Sequence, residues 1–246
     1  MEIVNTSSSI PKYIQIGEWL KELIKTGRFK EGEKLPSEIE LSKMCQVNRN
    51  TLRQAISELV IQGFLKKDKG VGTFVLSQSG IELKHDTKKI SSFKDDFGNQ
   101  KIVEHTKVIK TSLISANRDI AKALVIGIRQ KVIVIKRLRI GNDIPLIYEE
   151  NYLPYNVFKG ILGYDLTQSL YKIITEHYQL SLNRSRQEIR AINLNATTSG
   201  YFMLPEHAAG FFMKNITFDQ NSVPIDLMYS YFRGDKYCLE LDLEGY

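Results

Sequence analysis

The sequence predicts an α+β protein in two parts. A small helical unit closed by a hairpin occupies residues 10–76, and a mixed α/β unit with a central antiparallel sheet occupies 89–246, with a linker at 77–88 between them. Three observations carry this reading. In the first sixty positions apolar residues recur at spacings of three and four, the period of helices packed on one side. A glycine turn then separates two short apolar arms, 64–67 and 73–75, as in a β-hairpin. Beyond the linker, segments rich in β-branched and aromatic residues are mixed with helical patterns without a strict strand–helix–strand beat.

Residues 1–9 are polar and read as loose. From Pro11, apolar residues at Ile16, Leu20, Leu23 and Ile24 line one helix face, and Gly27 offers a left-handed stop. After a turn through Gly32, Ser37 is placed to cap a second helix and Glu40 to complete a capping box. This helix is short and ends near Cys45. Asn48 caps a third helix whose buried face is Leu52, Ala55, Ile56 and Leu59 and whose stop is Gly63. Three helices and a hairpin within about 65 residues, with a four-residue turn between the second and third helices, are the parts of a winged helix-turn-helix. In the larger part, strands are expected at about 132–138, 146–152, 188–194, 211–218 and 227–232, and helices at about 117–126, 166–179 and 195–203.

Composition narrows the function. With 42% hydrophobic and 25% charged residues, disorder of the whole chain is excluded. The longest apolar runs, such as 132–135 and 208–213, fall far short of the ~20 residues of a membrane span. The N-terminus lacks a basic stretch followed by an apolar core, and two cysteines, Cys45 and Cys238, cannot make a disulfide framework or a cysteine-rich zinc site. The expectation is a soluble cytoplasmic protein with no metal, no cofactor and no membrane partner. Net charge is +6, and residues 1–76 carry 12 Lys/Arg against 9 Asp/Glu, so half of the excess sits in the shorter part. That favours a polyanionic partner.

The third helix opens Asn48-Arg49-Asn50-Thr51-Leu52-Arg53. Because Leu52, Ala55, Ile56 and Leu59 take the buried face, Arg49, Asn50 and Arg53 point outward at its N-terminal end. A helix entering the major groove needs this arrangement: arginine grips both acceptors of a guanine edge, asparagine suits adenine, and threonine holds a phosphate or touches a thymine methyl. The hairpin tip, Lys69-Gly70-Val71-Gly72, suits a minor-groove or phosphate contact. Alone, the two arginines would read as a solvated helix face; the capping box, turn and glycine wing around them reverse that.

These segments, together with Leu35-Pro36-Ser37-Glu38 and Gly70-Val71-Gly72-Thr73-Phe74-Val75, resemble the DNA-binding domain of the GntR family of bacterial regulators over residues 10–76. The resemblance implies a homodimer on a palindromic double-stranded operator. It implies DNA contacts at Arg49, Thr51, Arg53 and Gly70 and a phosphate contact at Ser37, beside the Asn50 and Lys69 contacts read above. One position departs: Ile39 stands where many members carry a guanine-reading arginine, so the operator is expected to deviate, and Asn50 offers an adenine contact instead.

In the second part, Arg137 and Arg139 alternate on one strand and so project to the same face. Two adjacent arginines need an anion or carboxylates between them, and a phosphate or carboxylate ligand fits the guanidinium fork. Glu149, on the next strand, is placed to accept bonds from sugar hydroxyls, and Ser169 and Tyr171 lie near a helix start where anions bind readily. The alternatives are cross-strand pairing of the arginines with Glu149 and Glu150, plain capping by Ser169, and a core role for Tyr171.

Five segments in order resemble the UTRA effector domain of the HutC subfamily of these regulators, over about 89–246: Ser92-Phe93-Lys94, Arg137-Leu138-Arg139, Glu149 to Pro154, Asp165 to Tyr171, and Arg233 to Tyr237. The resemblance implies a chorismate lyase-like fold and an effector site at Ser92, Phe93, Arg137, Arg139, Glu149, Ser169 and Tyr171. A late aromatic completes it, Tyr231 being preferred to Phe232 for its hydroxyl. It also implies a repressor of a carbohydrate or amino-sugar operon, released by a small phosphorylated sugar of the trehalose 6-phosphate or N-acetylglucosamine 6-phosphate type; an organic acid is the alternative effector. An enzyme is disfavoured because the four histidines are scattered and no catalytic triad order or nucleotide loop is visible. A ligand-insensitive DNA-binding protein would require a second domain indifferent to metabolites.

Overall fold

The computed structural model describes residues 3–76, 83–86 and 103–240, which fall into two compact units, Met1–Glu82 and Leu83–Tyr246.

In the first unit, helix α1 (Lys12–Lys25) places Ile16, Leu20 and Ile24 on its buried face. Gly27, at φ +73°, turns the chain as the Ile24 and Leu23 carbonyls accept the last amides, the left-handed stop expected of a C-terminal glycine. Helix α2 (Glu38–Met44) begins with a complete capping box: Ser37 Oγ accepts from the Glu40 amide, and the Glu40 carboxylate accepts from the Ser37 amide. Helix α3 (Arg49–Ile61) is capped by Asn48 and buries Leu52, Ala55, Ile56 and Leu59. Strands β1 (Leu65–Asp68) and β2 (Gly72–Val75) form the hairpin, to which Lys34 adds a bridge opposite Phe74. Val4 is buried in this core, so part of the stretch read as loose is anchored.

The second unit is built on a six-stranded antiparallel sheet in the order β4-β5-β6-β9-β8-β7. The strands are β4 (Glu104–Ser115), β5 (Lys131–Gly141), β6 (Ile144–Pro154), β7 (Leu182–Asn193), β8 (Ala209–Asp219) and β9 (Pro224–Arg233). Strand β3 (Leu83–Asp86) pairs in parallel with β10 (Tyr237–Glu240), inside the stretch read as linker. One face of the large sheet packs under α5 (Leu170–His177) and the segment before it, through Phe158, Ile161, Leu166, Leu170 and Ile174. The other face carries α4 (Arg118–Leu124) near one end and α6 (Ala196–Phe202) near the other.

Other elements also differ from expectation. Strand β4 was not expected, and β7 starts six positions earlier than its pattern suggested. The helix expected from 166 starts at Leu170, because the Asp165 carboxylate takes the Thr167 amide and Ser169 then serves as the cap. Helix α4 stops at Leu124 without a glycine, Val125 itself adopting φ +52°.

Candidate nucleic-acid interface and effector site

The first site is the outer surface of α2, α3 and the hairpin. Arg49, Asn50 and Arg53 are exposed at the start of α3, as are Ser37 at the start of α2 and Lys69 and Gly70 at the hairpin tip. Thr51 is less free: its amide and its hydroxyl both donate to Asn48 Oδ1, at 2.8 and 3.0 Å, so its side chain is part of the helix cap. Gly70 sits at φ +78°, the left-handed region that glycine enters without strain. Ile39 stands 47% exposed, an apolar side chain facing water at the start of α2.

A residue that sequence reasoning passed over ties this surface together. Glu38 accepts from Arg53 Nε and from Lys67 Nζ, each at 2.6 Å, linking α2 to both α3 and β1. Hydrogen bonds from Lys67 and Arg53 hold its carboxyl below the usual range. Only its partners' distance in sequence, 15 and 29 positions, hid it.

The second site lies on the sheet face under α5. Arg137 and Arg139 both reach Glu149 Oε1, Arg137 through Nη2 and Arg139 through Nη2 at 3.0 Å. Register explains the meeting, since Arg137 stands directly opposite Glu149. Arg137 is almost wholly buried, at 2% exposure, and its Nη1 also donates to the carbonyls of Leu166 and Gln168 at 3.3 and 3.1 Å. Arg139 donates to Thr106 at 2.9 Å. Burial raises the Glu149 carboxyl, but the two arginines outweigh it and hold the group below its ordinary value. The other cross-strand pair, Lys136 with Glu150, is present at 2.7 Å, and strand alternation puts it on the opposite face.

Sequence reasoning missed the polar row that continues this face across the sheet. Asn151 on β6 donates to both oxygens of Asp226 on β9, at 3.3 and 3.0 Å. On β8, Asn215 donates to Thr217 at 3.0 Å and to the Tyr171 hydroxyl at 3.3 Å, and accepts from Ser185 of β7. Tyr171, from α5, also bonds Thr217 at 2.9 Å. Asp226, Thr217, Asn151, Asn215 and Ser230 are all buried. Burial, with the Glu149 charge adding to it, pushes the Asp226 carboxyl up to about 7 against the opposing pull of the Asn151 hydrogen bond and Arg137. Burial likewise raises the Tyr171 hydroxyl. Two buried polar atoms, Arg137 Nε and Asn151 Oδ1, have no hydrogen-bond partner. A buried unpaired donor and acceptor on one sheet face are costly unless something else meets them. The available signal was a carboxylate inside an otherwise apolar strand, Ile225-Asp226-Leu227.

The remaining expected residues divide. Ser169 caps α5, accepting from the Lys172 amide at 3.4 Å. Ser92 and Phe93 lie outside the described residues. Tyr231 is not brought together with the arginines: it pairs with Tyr148, one position from the Ser230–Glu149 pair, and therefore faces the other side of the sheet. There it packs against Phe212 and Tyr148, with ring centroids 5.2 and 5.9 Å apart. Phe232 alternates back to the arginine face and is buried there.

Among the described residues no cluster of His, Cys, Asp and Glu suits a metal ion, and no helix is long and apolar enough to cross a membrane.

Comparison with known proteins gives a family for each part of the chain. Residues 12–75 match bacterial regulatory proteins of the gntR family, and residues 99–238 match the UTRA domain. The chain is 30% identical over 234 residues to the HTH-type transcriptional repressor NagR of Bacillus subtilis, covering 95% of both proteins. It is 30% identical over 179 residues to the mannosyl-D-glycerate transport/metabolism system repressor MngR of Escherichia coli, covering 73% of each. The crystal structure of PhnF from Mycobacterium smegmatis superposes with a TM-score of 0.64 at 20% identity, covering 93% of this chain and 100% of that one, and so shares the fold. These families and relatives are transcriptional regulators, not enzymes.

Proposed function

The chain belongs to the gntR family of bacterial regulatory proteins, in its UTRA-bearing HutC branch, and is a DNA-binding transcription regulator; on that premise we propose that it is a repressor released from its operator by a small anionic sugar. The carrying observation is the sheet face under α5, where two convergent arginines adjoin a row of buried amides, hydroxyls and a carboxylate. Arginines supply the anion clamp, and the neutral and acidic side chains supply partners for hydroxyl groups. Arg137 Nε and Asn151 Oδ1, both buried and unmet, are a donor and an acceptor of the kind a polyhydroxylated anion satisfies. A phosphorylated sugar is the leading class. A sugar carrying a carboxylate group is the second reading, suggested by the relative named as repressor of a mannosyl-D-glycerate transport/metabolism system, glycerate being a carboxylate.

On the DNA side, Arg49, Asn50, Thr51 and Arg53 read base edges or hold phosphate, Ser37 contacts phosphate, and Lys69 and Gly70 carry the wing. A homodimer on a palindromic operator in the cytoplasm completes the reading. Allostery then requires only that the ligand bind one dimer geometry better than another.

The test is a thermal-shift titration of the full chain against paired sugars, each free, phosphorylated and oxidised to the acid. A ligand at about 100 times its Kd adds roughly 2.7 kcal/mol of stability. Stabilisation by the anionic members alone supports the clamp; stabilisation by none of them removes the proposed effector class.

A further inference from the structure

We infer that Glu38 is a positioning residue for DNA reading, one that fixes the guanidinium of Arg53 and ties it to the wing strand. The inference rests on the reading of Arg53 as a base contact. Glu38 is the first residue of α2, and its carboxylate spends one oxygen on Arg53 Nε and the other on Lys67 Nζ. The three side chains come from three different elements, α2, α3 and β1. Glu38 is the sheltered member, with 18% of its side chain exposed against 56% for Arg53 and 52% for Lys67. A half-buried anion between two exposed cations therefore leaves both of them at the surface.

Chemistry explains the consequence. The guanidinium is planar and its five donors are fixed relative to one another. With Nε–H held by Glu38, the plane of the group is set and the two terminal nitrogens remain at the exposed end. Those are the donors that engage guanine O6 and N7 together. A free arginine on this face would have to give up rotamer freedom on binding; one already held by a carboxylate has lost most of it beforehand. The carboxylate near DNA is otherwise hard to account for, because an acidic group at a phosphate-facing surface opposes binding. Its cost is offset if it makes a cation discriminate between bases.

Glu38 is also separable from helix capping. The capping box uses Ser37 and Glu40, so replacing Glu38 leaves both of its bonds in place.

The experiment uses full-length protein and a duplex selected by that protein from a random-sequence DNA library. Affinity is measured by fluorescence anisotropy for this duplex and for variants with each base pair changed in turn. The proteins are wild type, E38A, E38Q, R53A, K67A and the E38A/R53A double variant, each checked for an unchanged thermal transition. E38A is expected to lose about threefold to tenfold in affinity for the selected duplex. The loss falls at the base pair where R53A abolishes discrimination, and E38A adds no further loss of discrimination in the R53A background. K67A is expected to weaken all duplexes alike and lower the salt dependence. Retained discrimination in E38A and E38Q, or uniformly tighter binding, overturns the positioning role while leaving Arg53 as a base contact. Retained discrimination in R53A removes the base-contact reading, and the inference with it.

Discussion

Replacing Arg137 with methionine tests the proposed effector site at its most constrained point. Its side chain is 2% exposed, and it bonds Glu149 together with the Leu166 and Gln168 carbonyls. Methionine fills much of the same space, so the main loss is electrostatic. Breaking a buried pair by removing one partner typically costs 3–5 kcal/mol, because the surviving charge stays buried. Arg139 still reaches Glu149 at 3.0 Å, which places the expected loss at the lower end, about 3 kcal/mol. For a unit of this size that lowers the effector-domain transition by about 6–12 °C in scanning calorimetry of the full chain. R137M/E149M, which removes both charges, is expected to regain most of the loss. A loss below about 1 kcal/mol for R137M, or a double variant less stable than the single, refutes the claim that Glu149 depends on Arg137. The same logic makes R139M the cleaner probe of ligand response, since Arg139 is the more exposed of the pair, at 12% against 2%.

Three further outcomes are expected. R49A should cost about 1–3 kcal/mol of operator binding and relax preference at one base pair, read by competition between duplexes. S37A removes the side-chain half of the α2 capping box and should lower urea stability of the first unit by about 1 kcal/mol. Asp226, with its folded pKa raised to about 7 above an unfolded value near 3.9, binds more protons folded than unfolded between those values. Its contribution therefore falls as pH rises from about 4 to 7 and is flat outside that window. D226N should flatten this part of the stability–pH curve relative to wild type; an unchanged difference between pH 4 and 7 would show that Asp226 does not titrate there.

The helical unit was legible in the sequence because its signals are local. Gly27 and Gly63 stop helices, and Ser37 with Glu40 starts one, within spans of a few residues. The sheet unit was less so. Strand β4 hides in Glu104-His105-Thr106-Lys107-Val108-Ile109, where an edge strand with one covered side shows only a partial alternation of apolar residues. The four-residue strands β3 and β10 exist only through each other, across more than 150 positions. At the proposed effector site, the arginine pair was visible because period two is a local rule. Its partner Glu149 was legible as a cross-strand alternative, and register decided it. The Asn151, Asn215, Thr217 and Asp226 row was not visible, since each is a single polar residue in its own strand and only strand order brings them onto one face. Tyr231 and Phe232 fall on opposite faces because strand parity, which side-chain chemistry does not reveal, separates neighbours.

On the proposed function, an anionic sugar held under α5 loosens the grip of the first unit on DNA. The direct measurement is the affinity of the full chain for its selected duplex, by anisotropy, in the presence of saturating free, phosphorylated or carboxylated sugars. At least one anionic sugar is expected to raise the Kd for DNA by about tenfold or more, its uncharged counterpart to leave it unchanged, and R139M to abolish the effect while keeping DNA affinity. A DNA affinity indifferent to every anionic sugar, or a response that survives R139M undiminished, would contradict it.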